Sequence, residues 1–175
     1  DEYKAFYKSF GKHKKDYCAM KHFTVEGKLD FSCMLFIPVD PPTIDPNDEN
    51  KSRVKLYVRK VFVMDHFEDL LPKYLNFVDG LVDSHDIPLN ISREVLQNTK
   101  MLVSIKKTLT KRIMDMITEM THDKEKYTTF YNKYKKNIKS GIIEDSVNSD
   151  KLANLLRFRS SYSLTDMTSL DEYVD

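Results

Sequence analysis

The sequence predicts an α/β protein, a three-layer αβα unit followed by a small helical bundle. Three observations lead there. Apolar residues alternate with period two through Phe31 to Ile37 and again through Val54 to Val58, as in strands. Between Ser92 and Met120 no proline or glycine interrupts an apolar stripe of three-and-four spacing, as in a long helix. Helix, strands, helix, strand and long helix follow one another before shorter helices take over.

The first helix is read from Tyr3, Phe6, Tyr7 and Phe10, which share one face, with Gly11 ending it. Lys12-His13-Lys14-Lys15 is then a basic loop. His22 to Val25, the turn Glu26-Gly27-Lys28 and Leu29 to Val39 form a hairpin. In its second strand Phe31, Cys33, Leu35 and Ile37 share a face. Met34 and Phe36 make the other face apolar too, so both sides are expected to be covered. Asp40 to Asn50 holds three prolines and four acids and is an exposed loop. Val54, Leu56 and Val58 alternate with Lys55, Tyr57 and Arg59, and one strand is expected to run on through Met64.

From Asp65 the residues Phe67, Leu70, Leu71, Tyr74 and Leu75 have helical spacing, with Pro72 marking a start or a break. Phe77 to Val82 is read as a third strand, a helix end being the alternative. Asn90 or Ser92 caps the long helix, about 28 residues and roughly 42 Å in length. Its inward stripe is Leu102, Ile105, Leu109, Ile113, Met116, Ile117 and Met120. Two helices follow near Asp123 to Lys139 and Ser149 to Phe158, joined by a link from Ser140 to Asp145. Thr168 or Ser169 caps a last partial helix. The expected organisation is an αβα unit over 1–120, a helical satellite over 121–160 and the start of a further αβα unit over 161–175.

Composition narrows the function. The 175 residues carry a formal charge of +1 and only 4 glycines, against 10 each of Tyr and Phe. No Gly-rich phosphate loop, no nucleophile elbow and no His-Glu-x-x-His motif occurs, so nucleotide is not expected to be held by this chain alone. The five histidines form no i, i+4 pair, and neither Asp83 to Asp86 nor Asp45 to Glu49 has calcium-loop spacing, so no metal is expected. Cys18 and Cys33 lack a Cys-x-x-Cys partner, and Cys33 reads as a buried free thiol. No run of 18 apolar residues occurs. No charged-then-apolar leader opens the chain, and helical text at both ends is expected of a segment from a longer protein.

The informative stretch is Pro88 to Gln97. Arg93 falls in the first turn of the long helix, where the helix dipole disfavours a cation by roughly 0.3–1 kcal/mol. The unpaired N–H groups there attract anions, and a guanidinium among them makes a phosphate-shaped site. Gln97, one turn on, adds a neutral donor to that face. The bland reading is a surface ion pair of Arg93 with Glu94, Asp86 or Asp83. A second signal is charge. Residues 93–139 hold 12 Lys and Arg against 5 acids, a local +7 that suits either nucleic acid or a solvated helix face. Tyr127, Phe130, Tyr131 and Tyr134 step by three and four, which reads as core and not as a stacking platform.

Longer stretches add a resemblance. Lys55-Leu56-Tyr57-Val58-Arg59-Lys60-Val61-Phe62 and Leu71-Pro72-Lys73-Tyr74-Leu75-Asn76-Phe77-Val78 resemble the middle domain of the ninety-kilodalton heat-shock chaperones. So do Val82-Asp83-Ser84-His85-Asp86-Ile87-Pro88-Leu89-Asn90-Ile91-Ser92-Arg93-Glu94, running on through Val95-Leu96-Gln97, together with His22 to Gly27 and Leu155 to Ser161. Pro72 to Phe77, Asp65 to Asp69 and Thr165 to Asp171 look most like the endoplasmic-reticulum (glucose-regulated) paralogue. The resemblance covers essentially the whole chain.

It implies a dimeric, ATP-driven chaperone acting in the endoplasmic reticulum lumen, with the cytoplasm as the alternative compartment. ATP, with Mg, would sit in a separate N-terminal domain, and a C-terminal domain would hold the dimer. Arg93 is then implied to reach the γ-phosphate, with Gln97 nearby. Expected partners are those two domains, client proteins and co-chaperones, with no nucleic acid and no membrane. Two departures stand out. The loop at 40–50 has Ile44 as its only large apolar side chain where relatives carry an apolar and aromatic segment. Asp79 stands where relatives tend to be basic, an expected change in surface charge.

Overall fold

Alternation between apolar and long polar side chains becomes a sheet in the computed structural model, which describes residues 2–11, 16–27, 29–42, 52–64, 70–88, 100–161 and 165–174. Helix α1 is Glu2–Gly11, and strands follow at Tyr17–Val25 (β1), Phe31–Pro38 (β2), Arg53–Val58 (β3), Val61–Met64 (β4) and Asp79–Ser84 (β5). These five strands lie in the order β1-β2-β5-β3-β4. Only the β3–β5 pair is parallel. Helix α2 is Lys100–Met120 as far as it is described, and α3 is Lys124–Glu144. Then come α4 (Ser149–Asn154), the short strands β6 (Phe158–Arg159) and β7 (Met167–Thr168), and α5 (Leu170–Val174). The chain divides into two compact units, residues 1–116 and 117–175.

The first unit has the expected layers. Phe31, Cys33, Leu35 and Ile37 are all buried on one face of β2, and Phe36 is buried on the other. Helix α1 explains the second face. Its Tyr7 and Phe6 rings lie 4.9 Å and 6.3 Å from Phe36, and Tyr17 closes the cluster at 5.2 Å. The Lys55 ammonium sits 4.2 Å from the Phe10 ring and donates to the Phe10 carbonyl, fixing the far end of α1 over β3. On the opposite face the Arg112 guanidinium of α2 lies 5.2 Å from the Phe23 ring. Helices therefore cover both faces of the sheet.

Asp79 corrects the sequence reading, which took it for a surface charge. It is 2% exposed, with Arg53 Nε donating to Oδ1 at 2.5 Å and the Tyr7 hydroxyl donating to Oδ2 at 2.9 Å. The carboxylate thus ties α1, β3 and β5 together from inside. Arg53 keeps 30% of its side chain exposed and can be rehydrated. Asp79→Ala is therefore expected to cost about 2 kcal/mol, less than a fully buried pair, as read from urea unfolding.

The expected single strand from Val54 to Met64 is in fact two. It folds back at Arg59 and Lys60, whose φ angles of 50° and 65° are left-handed. Nothing in the local text announces this hairpin, because neither residue is the glycine or asparagine such a turn favours. Strand β1 starts at Tyr17, earlier than His22, and stays paired with β2 back to Pro38 across a bulge between Tyr17 and Ala19. Pro72 does begin a helical turn, the 3-10 segment Lys73–Leu75. The expected helical residues 65–69 lie outside the described residues, as do the acidic loop at 43–51 and the expected start of the long helix at Asn90 or Ser92.

In the second unit the expected link from Ser140 to Asp145 is corrected. Helix α3 continues to Glu144, with Gly141 buried inside it, and the Asp145 N–H donates the terminal bond to the Gly141 carbonyl. The packed stripe Tyr127, Phe130, Tyr131, Tyr134 and Ile138 sets the helix length against one unfavourable glycine. Helix α4 ends at Asn154, short of Phe158, which pairs instead with Thr168 in β6–β7. Asp123 caps α3 by accepting from the Lys126 N–H at 3.0 Å. Asp123→Ala should therefore lower stability by about 1 kcal/mol in thermal unfolding. Ser169 caps α5 as expected, its Oγ accepting from the Glu172 N–H while Glu172 accepts from the Ser169 N–H. That bond from Ser169 holds the Glu172 carboxyl below its ordinary value.

Candidate functional site

Parallel strands place their carboxyl ends side by side, and ligand chemistry in α/β sheets gathers outside those ends. In this sheet the parallel pair is β3 and β5, and their carboxyl ends are Val58 and Ser84. Ser84, His85, Asp86, Ile87 and Pro88 lead away from β5 toward the stretch that carries the candidate arginine. Arg93 and Gln97 themselves lie outside the described residues, as do Asn90 and Ser92. What the structure describes is the turn after β5 that precedes them in the chain, a platform of backbone and side-chain bonds.

That platform is bonded on two sides. From the β3–β4 turn, the Arg59 N–H donates to the Ser84 carbonyl at 3.1 Å, and Arg59 Nε donates to the His85 carbonyl at 3.2 Å. The Lys60 N–H donates to Asp83 Oδ1 at 3.0 Å. From the β1–β2 hairpin, the Asp30 carbonyl accepts the His85 N–H at 3.2 Å and the Ser84 hydroxyl at 3.4 Å. The Asp30 N–H donates to Asp86 Oδ2 at 2.6 Å. Asp30 is itself fixed, its Oδ1 accepting the Gly27 N–H at 2.7 Å. Asp83 and Asp86, the carboxylates offered as surface partners for Arg93, thus each engage a backbone N–H of the platform.

The sequence reading missed Arg59, Lys60 and Asp30 as members of this constellation. Arg59 and Lys60 stand in one expected strand and Asp30 in another, 56 residues from Asp86. The pairing of β2 with β5 brings them together, and no local spacing encodes it.

Other chemistries find little footing among the described residues. No group of three His, Cys, Asp or Glu side chains comes together as a metal-ligand set. Cys33 is fully buried, and burial pushes its thiol well above the ordinary value, leaving it unreactive. Cys18 is half-buried, its thiol donating to the Ile37 carbonyl at 3.4 Å, and neither cysteine is in a disulfide. Tyr127, Phe130, Tyr131 and Tyr134 are all within 2% of full burial and cannot offer faces to bases. The Tyr127 hydroxyl donates to the Leu155 carbonyl, and burial raises its pKa. No described helix is long and apolar enough to cross a membrane.

Comparison with known proteins adds what the geometry does not. The family model described as Hsp90 protein matches residues 1–175. Heat shock protein 83 of Leishmania donovani is 49% identical over 176 residues, covering 99% of this chain and 39% of that protein. An endoplasmin homolog of Leishmania infantum is 42% identical over 200 residues, covering 100% of this chain and 26% of that protein. The second alignment is longer than the chain itself, so that relative carries inserted residues. The solved middle domain of a Plasmodium falciparum heat shock protein superposes with a TM-score of 0.86 at 32% identity, over 99% of this chain and 68% of that one. The chain therefore spans less than half the length of both relatives, and its α/β fold followed by helices is that of the solved middle domain.

Proposed function

We propose that this chain, which belongs to the Hsp90 protein family, is the middle segment of an ATP-dependent chaperone and completes its ATPase site with Arg93. The nucleotide, with Mg, would be held by a separate N-terminal domain. The sequence supports this division, since it contains no Gly-rich phosphate loop of its own. Arg93 would direct the two N–H groups of its planar fork at γ-phosphate oxygens, and Gln97, one turn on, would add a neutral donor. Charge spreads over those oxygens as the phosphoryl group transfers, so a cation delivered from outside the pocket acts mainly on the transition state.

The observation that carries the reading is the platform at the end of β5. A residue that must meet a phosphate on another domain needs a fixed base, and the turn at Ser84–Asp86 is bonded from both neighbouring turns. Supplying the nucleotide-binding domain and this segment as separate polypeptides tests it. Adding the wild-type segment should raise ATP turnover, and adding Arg93→Ala should not. Equal stimulation by both would contradict the role.

Client contact belongs to the same proposal. Val61 and Phe62 on β4, the edge strand among the described residues, are 53% and 51% exposed, an apolar edge suited to an extended unfolded chain. The compartment we propose is the cytoplasm, the alternative named above. Identity is higher to heat shock protein 83 than to the endoplasmin homolog, and two cysteines outside any disulfide agree with a reducing environment. The lumenal reading rests on the shorter matches and on the lower identity to the endoplasmin homolog. Localising the tagged full-length protein separates the two.

A further inference from the structure

His85 is held by both of its backbone polar groups, and by different parts of the sheet. Its N–H is bonded to the Asp30 carbonyl beside β2, and its C=O is bonded to Arg59 Nε beside β3. The next residue repeats the pattern on one side, Asp86 Oδ2 accepting the Asp30 N–H while the Asp86 N–H donates to Ser84 Oγ at 3.3 Å.

The turn that supplies Arg59 is built against local preference. Arg59 and Lys60 both have positive φ, at 50° and 65°, where side chains crowd the backbone. Two glycines would close this hairpin with less strain. Glycine, however, would not reach the His85 carbonyl. Strain of this kind persists where surrounding bonds over-determine it, and three bonds run from this two-residue turn to Asp83, Ser84 and His85.

We infer that Arg59 is a positioning residue. It fixes the direction in which the chain leaves β5, and so the base from which Arg93, eight residues further on, is carried to phosphate. Asp83 supports it by holding the Lys60 amide, and Asp30 closes the clamp from the other side. This inference rests on the Arg93 reading. Neither Arg59 nor Asp83 is asked to touch nucleotide, so each acts on turnover and not on affinity.

The test uses the full-length protein and the substitution Arg59→Gly, which relieves the strained backbone while removing the guanidinium. A purely structural turn predicts that turnover follows stability. A positioning role predicts an unfolding midpoint unchanged or raised, ATP affinity unchanged, and turnover lower by about tenfold, as for small misplacements of a reacting group. In an Arg93→Ala background Arg59→Gly should cause no further loss, because its effect passes through Arg93. Wild-type turnover in Arg59→Gly, or an equal fall in both backgrounds, would overturn the inference. If Arg93→Ala alone keeps wild-type turnover, the parent reading fails, and that single variant shows it.

A second pair of variants guards against unfolding. Asp83→Ala should speed amide exchange at Lys60 and slow turnover, while Asp83→Asn, which keeps an acceptor oxygen, restores both. Faster exchange at Lys60 with wild-type turnover would also overturn the inference.

Discussion

Gly80→Ala is expected to lower unfolding free energy by about 3 kcal/mol, the largest effect of any small substitution in the sheet. Gly80 lies in β5, the central strand, directly between Leu35 of β2 and Val54 of β3. A methyl group there would fall on the Met34 carbonyl oxygen, with Leu35 Cδ2 at 3.1 Å and Leu35 Cα at 3.3 Å. Two of those three atoms are backbone, held in the β2–β5 ladder, so they cannot turn aside as a side-chain tip would. The glycine is required by close approach and not by its own dihedral angles. Urea unfolding of the isolated chain measures the loss, and a change below about 0.5 kcal/mol would mean that β5 slides away from β2 without penalty. Because the Ser84–Asp86 platform is the continuation of the same strand, the substitution should also disturb whatever that platform carries.

Arg93→Ala in the full-length protein is the other large effect, expected on turnover and not on folding. An arginine that enters a phosphoryl-transfer site from outside is worth about a thousandfold or more in rate, or roughly 4 kcal/mol of barrier. On the proposed reading the same arginine would contribute little to holding the ground-state nucleotide, since the pocket would belong to another domain. Arg93→Lys should recover little, because an ammonium cannot present the two-pronged fork. Gln97→Ala should cost less, about tenfold, as a neutral donor removed from the edge of the site.

Much of the architecture was legible. The inward faces of β2 and β3 followed from period-two alternation, because residues covered on one or both faces must be apolar at fixed positions. The Tyr127 to Tyr134 stripe read as core and is core. Capping at Ser169 was visible because Ser-x-x-Glu is a local chemical motif. What escaped was non-local. The β3–β4 hairpin turns on Arg59 and Lys60, whose left-handed angles are imposed by bonds to β5 about 25 residues away in sequence. Asp79 carries no local sign of burial, because its partners, Tyr7 and Arg53, are distant in the chain. Helix α3 ran through Gly141 because packing on its buried face outweighed one poor helix former.

The candidate site divides in the same way. Arg93 stood out in the sequence because a cation at a helix start is electrostatically misplaced, and that oddity needs no tertiary information. The residues bonded into its platform gave no such sign. Asp30, Arg59 and Asp83 are ordinary turn and strand-end residues until the pairings of β2 and β3 with β5 bring them to one place.

On the proposed reading this chain acts on ATP that it does not itself hold. The most direct measurement is turnover and ATP affinity taken together on full-length Arg93→Ala. Turnover should fall about a thousandfold, with affinity within about twofold of wild type. Turnover and affinity falling in equal proportion would contradict it, since Arg93 would then be binding nucleotide and not completing a site built elsewhere.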